Sequence, residues 1–71
     1  MGETAVGRVG HVVVRVRGGE VPGEVELTVD GVPEAYLAYA PEALAVGAPV
    51  LVVSDRGGRS LDVVSWELAG P

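Results

Sequence analysis

The chain has 71 residues, with five arginines, no lysine, ten acidic side chains, a formal net charge of -5 and no cysteine. One domain fits this length, with a core that is marginal unless it is closed tightly or shared with another chain; the absent cysteines exclude disulfides and thiolate metal sites, and the acidic balance disfavours nucleic-acid backbones and anionic membrane surfaces, which reward clustered basic residues. Hydrophobic residues make up 48% but aromatics only 4%, with sixteen valines, so the core must be β-branched and strand-forming.

Glu3, Thr4 and Ala5 lead into a first strand over Val6 to Arg17, in which Val12, Val14 and Val16 alternate with Val13, Arg15 and Arg17; one parity faces a core and the other water. Gly7 and Gly10 let this strand bend near its start. Gly18 to Gly23 breaks the pattern as a loop. The second strand, Glu24 to Asp30, points Val25, Leu27 and Val29 inward and Glu24, Glu26 and Thr28 outward. Asp30-Gly31 is a hairpin signal leading to a third strand at Glu34 to Ala40, antiparallel to the second. Pro41 to Ala45 predicts one short helical turn, because Pro suits a first helical position, and Gly47 ends it. A fourth strand, Pro49 to Ser54, connects through Asp55 to Gly58 to a fifth at Arg59 to Glu67, and Ala69 to Pro71 reads as a frayed end. The pattern predicts an all-β fold, a five-stranded OB-type Greek-key barrel with a short helical turn between strands three and four.

Several residues in order carry a more specific resemblance: Gly7-x-x-Gly10, Pro22-Gly23, Asp30-Gly31, Tyr36-x-Ala38, Leu44-x-x-Gly47-x-x-Val50-x-Val52-Val53 and Leu61-x-Val63. Together they resemble the C-terminal soluble domain of the NfeD-like family, a five-stranded OB-type barrel, over about residues 5 to 66 of a single domain spanning 1–71. The resemblance implies an interaction module associated with stomatin or flotillin-type membrane scaffold proteins, with no catalytic residues in the barrel. Family members usually carry transmembrane helices ahead of the barrel, and long forms add a Clp-type serine-protease domain. This sequence contains neither, so no protease activity is expected and membrane association is expected to be indirect. The apolar runs, such as Ala48 to Val53, are too short for a transmembrane helix or signal peptide, and a soluble cytoplasmic protein is expected.

No residue pattern predicts a cofactor or metal. His11 is the single histidine; by parity it points away from Val12, near Glu24 or Glu26, as a surface side chain. Ser54, Ser60 or Ser65 with Asp55 or Asp62 lack any nucleophile motif, and an enzyme is not expected. Gly57-Gly58 lacks the Lys-Ser/Thr and helix of a phosphate loop. OB-type barrels often bind single-stranded nucleic acid on strands two and three and their flanking loops, and Arg17, Arg56, Arg59 and Tyr39 fall there. Glu20, Glu24, Glu26, Asp30, Glu34 and Asp55 fall there too and outnumber the basic residues, so this remains the alternative reading.

Strands three to five are apolar on both parities, and only one parity can fill a barrel. The family pattern puts Tyr36, Ala38, Val50, Val52, Leu61 and Val63 inside, although the sequence alone allows either face for strand three. Leu37, Tyr39, Leu51, Val53, Val64 and Trp66 would then form one outer patch, with Arg56 and Arg59 as rim charges. Such a patch suits a protein partner, whether a stomatin or flotillin-type scaffold or a second copy in a homo-oligomer, unless the tail and the helical turn cover it.

Overall fold

The alternation of Val25, Leu27 and Val29 with acidic residues produces the most regular strand pair in the molecule. In the computed structural model, which describes residues 5–66, β2 (Gly23–Val29) pairs antiparallel with β3 (Val32–Tyr39) in unbroken register from Gly23↔Ala38 to Val29↔Val32. Asp30 and Gly31 join them with φ of 53° and 79°, the two successive left-handed residues of a type I′ turn, whose twist matches that of the flanking strands. With β1 (Val9–Val14), β4 (Pro49–Gly57) and β5 (Ser60–Ser65) they form a closed barrel in the order β1-β2-β3-β5-β4, in which β4 pairs back onto β1. All neighbours are antiparallel except β3 and β5, which run parallel over Leu37–Tyr39 and Ser60–Asp62. The all-β OB-type barrel expected from the sequence is the observed architecture.

The core is small and nearly all aliphatic. Val12, Val25, Val50, Leu61 and Val63 are completely buried, Leu27 and Val52 almost so, and the partly buried Val29, Tyr36 and Ala48 pack against them. No buried side chain among the described residues is polar or charged. Closure of the barrel therefore does what length alone does not: it brings apolar side chains from all five strands into one interior, valines from β1, β2, β4 and β5 and Ala38 from β3.

Three local expectations are corrected. The short helical turn at Pro41 to Ala45 does not form. Leu44 instead makes an antiparallel bridge with Val16, with N–H to C=O bonds in both directions at 2.9 and 3.0 Å; this satisfies the backbone across the barrel and buries the Leu44 side chain, which one isolated turn of helix does not do. The first strand begins at Val9 rather than Val6, because Ala5–Arg8 forms a turn closed by the Arg8 N–H to Ala5 C=O bond. Val14 does not face the core. A β-bulge between Val12 and Val14 puts Val14 opposite Glu24 on the outside, nearly half exposed, because the extra residue shifts the parity before Val16 turns back in. The fifth strand ends at Ser65, one residue before Trp66; Glu67, the frayed Ala69 to Pro71 and the lead-in at Glu3 and Thr4 lie outside the described residues.

The β4–β5 hairpin turns at Gly58 and Arg59 with φ of 59° and 62°, again a type I′ pair, but with an arginine where a Cβ is unfavourable. The side chain is held on β3: its Nη2 donates to Glu34 Oε1 at 3.0 Å and to the Ala35 carbonyl at 2.8 Å, and the guanidinium lies 4.6 Å over the Tyr36 ring. Replacing Arg59 with glycine loses these contacts but relieves the backbone, whereas alanine loses them and keeps the strain. Arg59→Ala is expected to be less stable than Arg59→Gly by about 1 kcal/mol, read as a lower urea midpoint at unchanged m-value.

Candidate protein-interaction surface

With Val50, Val52, Leu61 and Val63 inside, the intervening residues of β4 and β5 must face out. Leu51 sits opposite Val64 on β5 and opposite Val9 on β1, so one row of aliphatic side chains crosses three adjacent strands. Val9 is 47% exposed, while Leu51 and Val64 are half-buried by their neighbours. One step along the strands, Pro49 pairs with His11, and its carbonyl accepts the Trp66 N–H at 2.9 Å, which ties Trp66, 38% exposed, to the same end of the wall. In the other direction the register slips between Val52 and Ser54, and Val53 bulges outward.

Beyond Val53 and Val64 the wall falls into a shallow cleft of about 440 Å³, lined also by Tyr39, Ala40, Pro41 and Asp62. Its polar rim is Glu20 and Arg56; the Arg56 Nε donates to both oxygens of Asp62 at 3.0 and 3.2 Å and its Nη2 lies 2.8 Å from Oδ1. The same guanidinium stacks 3.8 Å above the Tyr39 ring. The hydrogen bond that Arg56 donates to Asp62 pushes the Arg56 pKa further up, against a smaller opposing effect of desolvation, so this cation stays charged at any physiological pH.

The structure thus gathers four of the expected residues, Leu51, Val53 and Val64 on the outer face of β4 and β5 and Trp66 just past the end of β5. Tyr39 lies across the cleft from them under Arg56. Leu37 does not join them: it is flanked by Glu24 on β2 and Ser60 on β5, and with Tyr36 and Arg59 it lines a separate hollow of about 250 Å³. Arg59 belongs to that second hollow rather than to the wall. Val9 joins the wall without a signal in its own strand; the signal for it is barrel closure, since pairing of β1 with β4 sets Val9 beside Leu51.

Charge is unevenly distributed around the barrel. The outer positions of β2 and β3 carry Glu24, Glu26 and Glu34, with His11 Nε2 3.7 Å from Glu26. On β1, β4 and β5 the carboxylates are Asp55, which accepts the Gly57 N–H at 2.8 Å, and Asp62, paired with Arg56; both lie toward the Gly57–Ser60 hairpin. Among the described residues, no group of three His, Asp or Glu side chains is placed to hold a metal ion.

A five-stranded barrel closed in this order, with an aliphatic outer wall, defines a small OB-type domain. The family model of the NfeD C-terminal domain matches residues 9–64, and the chain belongs to that family. The barrel is similar to the solution structure of the soluble domain of the NfeD protein YuaF from Bacillus subtilis, with a TM-score of 0.71 and 30% identity over 86% of this chain and 73% of that one. It is also similar to the C-terminal domain of stomatin operon partner protein 1510-C from Pyrococcus horikoshii, with a TM-score of 0.67 and 27% identity over 86% of each chain. No curated protein matches the sequence at a significant level.

Proposed function

We propose that this chain is a non-catalytic protein-interaction module that docks on a stomatin or flotillin-type membrane scaffold protein through the Val9–Leu51–Val64 wall. The observation that carries the proposal is that wall: aliphatic side chains aligned across three strands, with Trp66 at one end and the apolar cleft at the other. Apolar area of this kind on a soluble surface is a common mark of a binding site, and tryptophan is enriched among residues that dominate binding energy. Support for the partner class comes from the similarity to a stomatin operon partner protein. On this reading the protein is cytoplasmic and peripheral to the membrane, held there by its partner.

The alternative, a single-strand nucleic-acid binder, needs a free aromatic platform in a positive groove. Both tyrosines of β3 are covered by arginines that are themselves paired with acids, which weighs against stacking. The test is binding of the purified chain to an immobilised stomatin-type scaffold protein from the same organism. Native protein and Glu24→Gln, on the opposite wall, are expected to bind alike, and Leu51→Arg to lose roughly thirtyfold or more in affinity. Equal binding by Leu51→Arg would refute the wall as the dock. Binding to oligonucleotides that weakens steeply with salt would favour the alternative.

A further inference from the structure

We infer that the open edge of β3 is a strand-pairing site for a second copy of this chain, and that Arg59 and Pro33 hold it closed. The inference is independent of the outer wall of β1, β4 and β5. The barrel leaves half of β3 without a second neighbour: β2 pairs with it throughout, but β5 joins it only over Leu37–Tyr39, so Val32–Tyr36 has a strand on one side alone. The Leu37 N–H donates to the Arg59 carbonyl on the β5 side. Backbone groups alternate along a strand, so those of Ala35 and Pro33 point to the same open side and those of Tyr36 and Glu34 toward β2. Val32 at 52% and Leu37 at 41% exposure flank this edge, and an exposed edge with apolar side chains is a template for another chain unless it is blocked. A second copy fits the edge in one antiparallel register. Centred on Ala35 under a two-fold axis, Ala35 meets Ala35, Glu34 meets Tyr36 and Pro33 meets Leu37, so no carboxylate faces a carboxylate.

That register needs the Ala35 N–H and C=O of both copies, and the chain withholds them. Arg59 Nη2 already donates to the Ala35 carbonyl at 2.8 Å and is held there by Glu34 Oε1 at 3.0 Å and by the Tyr36 ring beneath it. Pro33 has no N–H with which to extend the ladder. Arg59 sits at φ 62°, in a turn position that glycine occupies without strain. A strained residue persists where its surroundings over-determine it and tends to mark a position with a task; the side-chain contacts of Arg59 all fall on β3. Arg8 does the same on the other side of this hairpin, where its Nη1 reaches the Thr28 carbonyl at 3.4 Å, beyond the last β1–β2 pair at Glu26.

The experiment is sedimentation equilibrium of the full chain across a concentration series, with amide hydrogen exchange followed by NMR. Arg59→Gly removes the guanidinium and suits the turn; Arg59→Asn does the same with a second residue type that accepts left-handed backbone, so the result does not hang on one variant. Each is combined with Pro33→Thr, which restores a donor to the edge. The double variants are expected to reach at least twice the native weight-average mass at the same concentration, and to slow exchange of the Ala35 amide roughly tenfold or more. Arg17→Gln makes the same charge change at an exposed position off β3 and is expected to match the native protein. Each Arg59 variant makes an acidic chain more negative, so general repulsion works against the predicted association. Double variants that keep the native circular dichroism spectrum and the native mass overturn the proposal. So does an association that leaves Ala35 exchange at its native rate, or one that Leu51→Arg abolishes, because it then runs through another face.

Discussion

Substitution of Gly23 by alanine is expected to lower stability by ~3 kcal/mol or more, enough to leave much of the protein unfolded at room temperature. Gly23 opens β2 opposite the β-bulge of β1, and a β-carbon there would overlap the carbonyl oxygens of both Val14 and Arg15 and lie 2.7 Å from the Arg15 carbonyl carbon. These are backbone atoms of a strand held on its other side by the bonds between Val16 and Leu44, so relief requires moving the strand rather than rotating a side chain. A chain of this size has roughly 4–10 kcal/mol of stability in total. The comparison is Gly31→Ala, where a β-carbon meets nothing within 4 Å and only the positive φ of 79° opposes it; there the expected loss is about 1 kcal/mol. Urea denaturation of the two variants, followed by circular dichroism, checks both. Similar losses in the two would mean that the close approach of β1 and β2 is not what Gly23 serves.

The same bulge is invisible in the sequence, whereas the face of β2 is not. Val25 and Leu27 alternate with Glu24 and Glu26, and that difference in polarity specifies the face of β2 without further help. Val12 to Val14 is an unbroken valine run, so a bulge that turns two consecutive valines outward leaves no trace in the composition. The Asp30-Gly31 turn was legible because two left-handed residues in succession restrict the residue types. Local preference favours a helical turn at Pro41 to Ala45, and it loses here to a contact with Val16, twenty-eight positions earlier than Leu44. The candidate surface divides in the same way. Opposite parities on β4 and β5 put Leu51, Val53, Val64 and Trp66 outside once Val50, Val52, Leu61 and Val63 are inside. Whether Leu37 and Tyr39 continue that face depends on how β3 lies against β5, and their parallel register sets Asp62 beside Tyr39 and Ser60 beside Leu37. Polar residues of a neighbouring strand thus interrupt what looked continuous along the chain.

Leu61→Ala is expected to cost about 3–5 kcal/mol, the upper part of the range for buried leucines. Leu61 is fully buried where β5 meets Ala38 of β3 on one side and Asp55 of β4 on the other. Around it the core is mostly valine, a short side chain with restricted rotation, and the facing residue on β3 is only an alanine. Little nearby can swing into the space, so the cavity persists and its cost adds to the lost transfer energy. Leu61→Met, which keeps most of the volume, is expected to lose less than about 1.5 kcal/mol, and thermal melts of the pair separate a volume effect from damage to the parallel β3–β5 seam. If Met proves as costly as Ala, the shape of that seam rather than filled volume is what Leu61 provides. Leu51 offers the complementary case. It is only half-buried, and its arginine variant is expected to fold while losing association, because arginine can lay its aliphatic stem along the wall and keep its charge in water. A barrel whose inward leucine governs stability and whose outward leucine governs binding has separated its two uses of apolar surface by strand parity.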